Sequence, residues 1–192
     1  TNNNKTTPVQ VHNIESNYLP IINPIADQAI DEDTTATINF TSYDLDVSAC
    51  TMTLSISSSD QTLVPDGNLS YVCNADNYTL TATPAADQNG VATITILVTD
   101  SASATATRSF DLTVTSVNDP PVINTVSGQS VSEDTTSNIS LSVTDLETVD
   151  CNNLGITIVS SDTVLIPVEN ISYTCTLGTV YLSLTPASNL SG

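Results

Sequence analysis

The feature that most constrains this chain is that it repeats itself. The stretch YDLDVSAC, ending at Cys50, returns as TDLETVDC, ending at Cys151, so that Asp44 is matched by Asp145 and Cys50 by Cys151 at an offset of 101 residues. The same offset lays Ile30 to Thr35 (IDEDTT) on Val131 to Thr136 (VSEDTT). One inserted residue then brings Leu63-Val64-Pro65 onto Leu165-Ile166-Pro167 and Cys73 onto Cys175. A period this long, filled with short Thr/Val/Ile runs, predicts a tandem array of small β-domains. In such an array function resides in spacing, junctions and exposed faces, because no unit carries a catalytic set of its own.

Composition agrees with two small cores. Across 192 residues, 39% are hydrophobic and only 4% aromatic, enough to bury two modest cores but not one large one. The formal charge of −19 comes from 2 Lys+Arg against 21 Asp+Glu, yet charged residues are only 12% of the total, about half the usual share. The acidity therefore reflects missing lysines more than abundant acids, and Thr, Ser and Asn are left to cover the surface, as suits an extracellular protein. Binding a phosphate backbone needs clustered cations, and Lys5 and Arg108 stand alone, so nucleic acid is excluded as a partner. An anionic membrane would repel the chain, and no window holds the roughly 18 apolar residues that span a bilayer. The start Thr1-Asn2-Asn3-Asn4 has neither an initiator Met nor a signal-peptide core, so a processed or excerpted segment is expected.

Four cysteines allow three pairings. Only Cys50–Cys73 with Cys151–Cys175 gives both units the same bond, each bridge contributing roughly 3 kcal/mol by restricting the unfolded chain. Reduced, buried thiols are the alternative. Zinc is disfavoured, since there is no CxxC spacing and His12 is the single histidine.

Apolar and polar residues alternate in a series of short runs separated by turn-rich segments. The pattern predicts strands over Thr34–Phe40 (Ala36, Ile38 and Phe40 inward), Thr51–Ser57 (Met52, Leu54, Ile56), Asn77–Thr83 (Tyr78, Leu80, Ala82), Gly90–Thr99, and Thr107–Thr115 (Phe110, Leu112, Val114). About seven such strands per 100 residues, joined by Asp/Asn/Gly/Pro turns, are what a Greek-key immunoglobulin-like sandwich requires. The Trp and inter-sheet Cys spacing of antibody domains are absent.

Between the units stands Val117-Asn118-Asp119-Pro120-Pro121. Together with TPAADQNGVATITILVTDSASATATRSFDLTVTSVNDPP and the EDTT of each unit, it resembles the tandem cadherin-like, immunoglobulin-like repeats of bacterial surface and adhesin proteins. The resemblance covers nearly all of residues 18 to 192. It implies an all-β chain of tandem Greek-key sandwiches in an extracellular, cell-surface setting. Residues 1–17 then resemble the last strand of a preceding repeat, 18–119 form the first repeat, and 120–192 form a second that lacks its last two strands. In the first segment Val9 and Val11 align with Phe110 and Leu112, and Gly192 aligns with Gly90. Two explanations fit these ends: the sequence is a window on a longer array, or a neighbouring copy's Pro8–Ile14 strand completes the second sandwich by strand addition.

The resemblance also implies calcium, a hard cation that takes six to eight oxygens, commonly carboxylates and carbonyls. In cadherins, acidic residues at similar positions ligate calcium and stiffen the rod. Carried over residue by residue, the inter-repeat ligands are Glu32 and Asp33 on a turn of the first unit, Asn118 and Asp119 on the linker, and Asp145 and Glu147 on a loop of the second. A weaker set is Asp44, Asp46 and Asp100, where Tyr18 replaces the Asp119 position. The chain departs from the cadherin pattern in lacking a DRE motif and in a Pro-Pro linker, which supplies stiffness without metal. The alternative is that these Asp and Asn side chains satisfy turns and loop backbone.

Seven Asn-x-Ser/Thr sequons occur, and Asn68 and Asn170 recur at equivalent positions, which makes them the candidate glycosylation sites. Tyr71 and Tyr173 recur beside the cysteines, as packing residues or as part of a binding face. No catalytic constellation emerges: a Ser–His pair would have to use His12, outside either sandwich. The sequence thus points to a non-enzymatic extracellular rod or spacer, with calcium as its cofactor and neighbouring repeats, copies of itself or a cell-surface ligand as partners. The alternatives are a self-assembling filament subunit and a carbohydrate- or protein-binding module, the latter disfavoured by the absence of Trp.

Overall fold

The computed structural model describes residues 17–192. His12 and the Pro8–Ile14 segment lie outside the described residues. The chain divides into two compact units, one ending at Ser116 and one running Val117–Gly192.

The first unit contains eight strands: β1 (Ile21–Ile22), β2 (Gln28–Asp31), β3 (Ala36–Tyr43), β4 (Thr53–Ser58), β5 (Leu69–Asn74), β6 (Asn77–Ala82), β7 (Gly90–Thr99) and β8 (Thr105–Thr115). They form two four-stranded sheets, in the orders β1-β3-β6-β5 and β2-β8-β7-β4. Every pairing is antiparallel except β2 with β8, which run parallel with Ile30 opposite Val114. The period-two alternation of β7 explains its place: Ala92, Ile94, Ile96 and Val98 are all fully buried while the residues between them face outward. Phe110, Leu112 and Val114 of β8 and Ile38, Phe40, Tyr78 and Leu80 of the other sheet close the core from both sides. Full burial of each such side chain contributes roughly 1.5–3 kcal/mol. Phe40 and Tyr78 stack with ring centroids 5.2 Å apart, and the Tyr78 hydroxyl donates to the Ala49 carbonyl, so the buried ring keeps its polar end satisfied.

The strand bounds differ from the sequence pattern in instructive ways. Thr34 belongs to a turn in which its hydroxyl donates to the Asp31 carbonyl (2.6 Å), so β3 starts at Ala36 and runs on to Tyr43, where β1 pairs with it. Strand β8 starts at Thr105 because its ladder with β7 continues to the Thr99–Thr105 pair.

The second unit has four strands, β9 (Val122–Ile123), β10 (Ser137–Thr144), β11 (Ile171–Thr176) and β12 (Thr179–Leu184), in one sheet of order β11-β12-β10-β9. This is the counterpart of the β1-β3-β6-β5 sheet. The tight turn between β11 and β12 requires glycine: Gly178 has φ +77, and a Cβ there would lie 3.1 Å from the Val143 carbonyl oxygen. Residues 154–159, which match β4 in sequence, form no strand. In the first unit β4 and β2 are held by β7 and β8. The buried core of the second unit is only Val143, Cys151 and Val180. An apolar groove of about 420 Å³ opens on the inner face, lined by Ile123, Leu141, Val143, Leu154, Ile156 and Val180, among others.

Both units carry one disulfide, Cys50–Cys73 with Cα atoms 5.6 Å apart and Cys151–Cys175 with Cα atoms 6.0 Å apart. Each ties a short 3₁₀ turn to an edge strand, β5 or β11.

Packing on two sides against one predicts unequal sensitivity. Ile96→Ala should destabilise the first unit by about 2–5 kcal/mol, whereas Leu141→Ala, at a half-buried position, should cost the second about 1 kcal/mol or less. Urea unfolding of the full chain followed by residue-resolved NMR reads the two losses separately; equal losses would contradict this account of the cores.

Candidate functional site

Loop carboxylates hold loop amides at the same places in both units. At one end of the first unit the Asp44 carboxylate accepts from the Asp46 and Val47 amides (2.7 and 3.1 Å), and Asp46 Oδ2 accepts from the Tyr18 amide at 2.6 Å. In the second unit Asp145 Oδ1 accepts from the Thr148 amide (2.6 Å) and Glu147 Oε2 from the Asp119 amide (3.0 Å). Val47 and Thr148, Tyr18 and Asp119, and Asp46 and Glu147 are all related by the 101-residue offset. The entry of each unit is therefore fastened by the same contact, and one extra methylene in Glu147 does not break it.

Asp100 completes this end of the first unit. It is only 6% exposed; its Oδ1 accepts from the Ala102 and Ala104 amides, both at 2.8 Å, and its Oδ2 from the Asn17 side-chain amide at 2.9 Å. Burial pushes its pKa up, but the hydrogen bonds from Asn17, Ala104, Ala102 and Ser103 together outweigh it and hold the carboxyl below its ordinary value. Asn17 was not among the residues singled out from the sequence, although its alignment with Asn118 was available to find it. In the second unit the Asn118 side chain donates to the Asp119 carbonyl (2.9 Å).

At the other end of the first unit Glu32 is buried, and its amide donates to the Thr115 carbonyl (2.9 Å). Asp33 sits in a turn with φ 58 and accepts from the Asp87 amide at 3.1 Å. Asp134 and Asn189 repeat that contact in the second unit (3.3 Å). The turn-satisfying role of Asp thus accounts for one oxygen of most of these residues.

A cation site needs oxygens that this bonding leaves over. Asp44 Oδ2 meets that test: it is buried and has no hydrogen-bond partner. Asp46 and Asp100 reach the same entry segment, through Tyr18 and Asn17 respectively. In the second unit Asp119 and Asp145 line one pocket with Pro120, Val122, Thr144 and Leu146. The sequons Asn68 and Asn170 are exposed and stand immediately before β5 and β11. Tyr71 lies with its ring centroid 6.1 Å from that of Tyr78 and is 39% exposed, so it serves as a rim of the core. Among the described residues no helix is long and apolar enough to cross a membrane.

Two sheets packed face to face, with a parallel β2–β8 pair closing one of them, define an immunoglobulin-like β-sandwich. The family model described as the bacterial Ig domain matches residues 17–113, just over half of the chain, and the chain belongs to that family. Among curated proteins no sequence matches. Similar solved structures include the titin domains Z1Z2 in complex with telethonin, at 15% identity and TM-score 0.43, covering 90% of this chain and 84% of that one. They also include the surface layer protein SbsC. Its domains 4 and 5 show 18% identity and TM-score 0.37, covering 50% of this chain and 53% of that one. Its domains 4–9 show 16% identity and TM-score 0.39, covering 92% and 28%.

The Asp100 network carries a pH prediction. A depressed carboxyl pKa contributes stability that is present above the ordinary value near 3.8 and is lost as pH falls through the lower folded value. Asp100→Asn should lower the melting temperature of the first unit at neutral pH, and the gap to wild type should close as the solution is acidified below that range. A gap that stays constant with pH would show that the carboxylate is not the stabilising group.

Proposed function

We propose that the chain is a structural spacer of an extracellular surface protein, built from tandem bacterial Ig domains that hold an adhesive region away from the cell. The observation that carries this reading is the recurrence of one fastening at the entry of both units, Tyr18 to Asp46 and Asp119 to Glu147. A contact kept at each repeat fixes how the chain enters each sandwich, which is what a scaffold needs and what a solitary binding domain does not. The disulfides support the extracellular setting. Among the described residues no group of nucleophile, base and oxyanion donors supports catalysis.

Calcium belongs to this reading as a proposal. In the first unit the unpartnered Asp44 Oδ2, with Asp46 and Asp100 beside the same entry segment, would supply the anionic oxygens; in the second, Asp119, Asp145 and Glu147 would do so, with the Asn118 amide oxygen as a neutral ligand. A bound divalent cation would neutralise these carboxylates and stiffen the entry of each unit. A second reading, self-assembly in which a neighbouring copy lends a strand, is favoured by the apolar groove of the second unit.

Calorimetric titration of calcium into the full chain tests the metal. Binding that Asp44→Asn weakens by tenfold or more, with a rise in melting temperature that a chelator reverses, is the expected result; the absence of any heat or thermal shift would remove calcium from the proposal. Small-angle scattering tests the spacer directly: an elongated monomer supports it. Association that disappears on deleting residues 1–16 would favour the lent strand instead.

A further inference from the structure

We propose that the Cys50–Cys73 bridge is a thiol-exchange site, opened by small thiol compounds that leave the Cys151–Cys175 bridge of the same chain closed. The two bridges hold equivalent positions in sequence, and both tie a 3₁₀ turn to an edge strand. The turns differ in phase. In the first unit the turn is Ala49–Thr51, and its N-cap Ser48 makes no side-chain hydrogen bond. In the second unit Asp150 takes the N-cap position: its carboxylate accepts from the Asn152 amide (3.0 Å) and from the Asn152 side chain (2.7 Å), and the turn starts at Cys151.

The first residue of each turn is the one that faces the core, Ala49 and Cys151, each 1% exposed. A shift of one residue therefore decides whether a sulfur is covered. Cys50, second in its turn, is exposed, while its partner Cys73 is half-buried against the core. Cys151 is itself part of the buried core, and half-buried Cys175 packs against it. An attacking thiolate has to reach a bridge sulfur along the line of the bond, and of the two bridges the first alone contains an exposed cysteine.

Charge acts in the same direction. A carboxylate oxygen of Asp150 and the sulfurs of Cys151 and Cys175 all lie within 4.8 Å of one another. A carboxylate there repels the incoming thiolate and disfavours the thiolate that leaves, the inverse of the activation that a nearby cation gives to a thiol. At the 101-residue offset Asp150 corresponds to Ala49. Among the described residues Cys50 and Cys73 form no such group with a carboxylate, and the acids nearest to them in sequence, Asp46 and Asp76, belong to none.

In the exchange the sulfur of the incoming thiolate bonds to Cys50 Sγ, the bond to Cys73 breaks, and its electron pair leaves on Cys73 Sγ. The proton that the incoming thiol gave up ends on Cys73. The thiol compound is oxidised and the bridge reduced, so Cys50 carries the compound as a mixed disulfide until Cys73 or a second thiol expels it. With a net charge of −19 the chain favours a cationic thiol over an anionic one.

The test exposes the natively folded full chain to cysteamine, quenches samples over time with N-ethylmaleimide, and locates both labels by peptide mass spectrometry. Cysteamine on Cys50 and maleimide on Cys73 should accumulate about tenfold or more faster than any label on Cys151 and Cys175. Glutathione, which is net negative, should open the first bridge more slowly than cysteamine at equal thiolate concentration. Asp150→Asn retains a cap acceptor but removes the charge; with near-ultraviolet circular dichroism unchanged, it should speed opening of the second bridge by about fivefold. The proposal is overturned if the two bridges open at equal rates, if Cys151–Cys175 opens first, or if neither opens while the chain stays folded. An unchanged second-bridge rate in Asp150→Asn overturns the role assigned to its carboxylate.

Discussion

The β7–β8 hairpin is the element on which the rest of the sandwich depends. Its ladder runs from Gly90–Val114 to Thr99–Thr105, and β4 and β2 form only by pairing against its two sides. In the second unit β9, β10, β12 and β11 form one sheet, and the segments that match β2 and β4 in sequence form no strand. Their local sequences have not lost β-propensity: residues 156–159, Ile-Thr-Ile-Val, are stronger strand formers than the Ser-rich β4. A strand on the far side of a sandwich is stabilised by cross-strand partners more than by its own residues.

Loop geometry rests on a second interaction, the carboxylate-to-amide hydrogen bond. A chain nearly without cations cannot neutralise its acids in ion pairs, and Arg108 is directed to the Ile22 carbonyl (3.1 Å). The acids are instead stabilised by neutral loop donors, which hold loops and lower carboxyl pKa values together: the Thr62 hydroxyl, then the Leu63 and Thr62 amides, at Asp60, and the Gln61 side-chain amide, then the Ser58 backbone amide, at Asp66. The second unit repeats the Asp60 arrangement at Asp162, which accepts from the Val164 and Leu165 amides. Negative charge in this family member is thus part of the fold before it is anything else.

The central strands were legible because their alternation is strict and both faces of the pattern are satisfied: Gly90–Thr99 is bounded in the structure as its sequence indicates. Strands β1, β2 and β5 were not, for physical reasons. Two residues of β1 carry no period, β2 is defined by its parallel partner, and β5 is an edge whose outward residues are exposed regardless of polarity. The structure has Glu32, Asp33, Asp44, Asp46, Asp100, Asp119, Asp145 and Glu147 on turns and loops, and sequence spacing could not reveal which oxygen each would commit to a backbone amide. Asn17 illustrates the limit, since its importance lies in a hydrogen bond to Asp100 across 83 positions of chain.

The parallel register of β2 and β8 has a mechanical consequence. β2 lies near the start of the first unit and β8 ends it, so a pull on the two ends drags these strands past each other along their length. Four residue pairs, Gln28–Leu112 to Asp31–Thr115, then bear the load together in shear instead of opening one at a time like a zip. The disulfide between Cys50 and Cys73 lies behind this clamp and, once the clamp yields, withholds the loop it encloses from further extension. A sandwich arranged in this way resists stretching at its threshold and lengthens in limited steps afterwards.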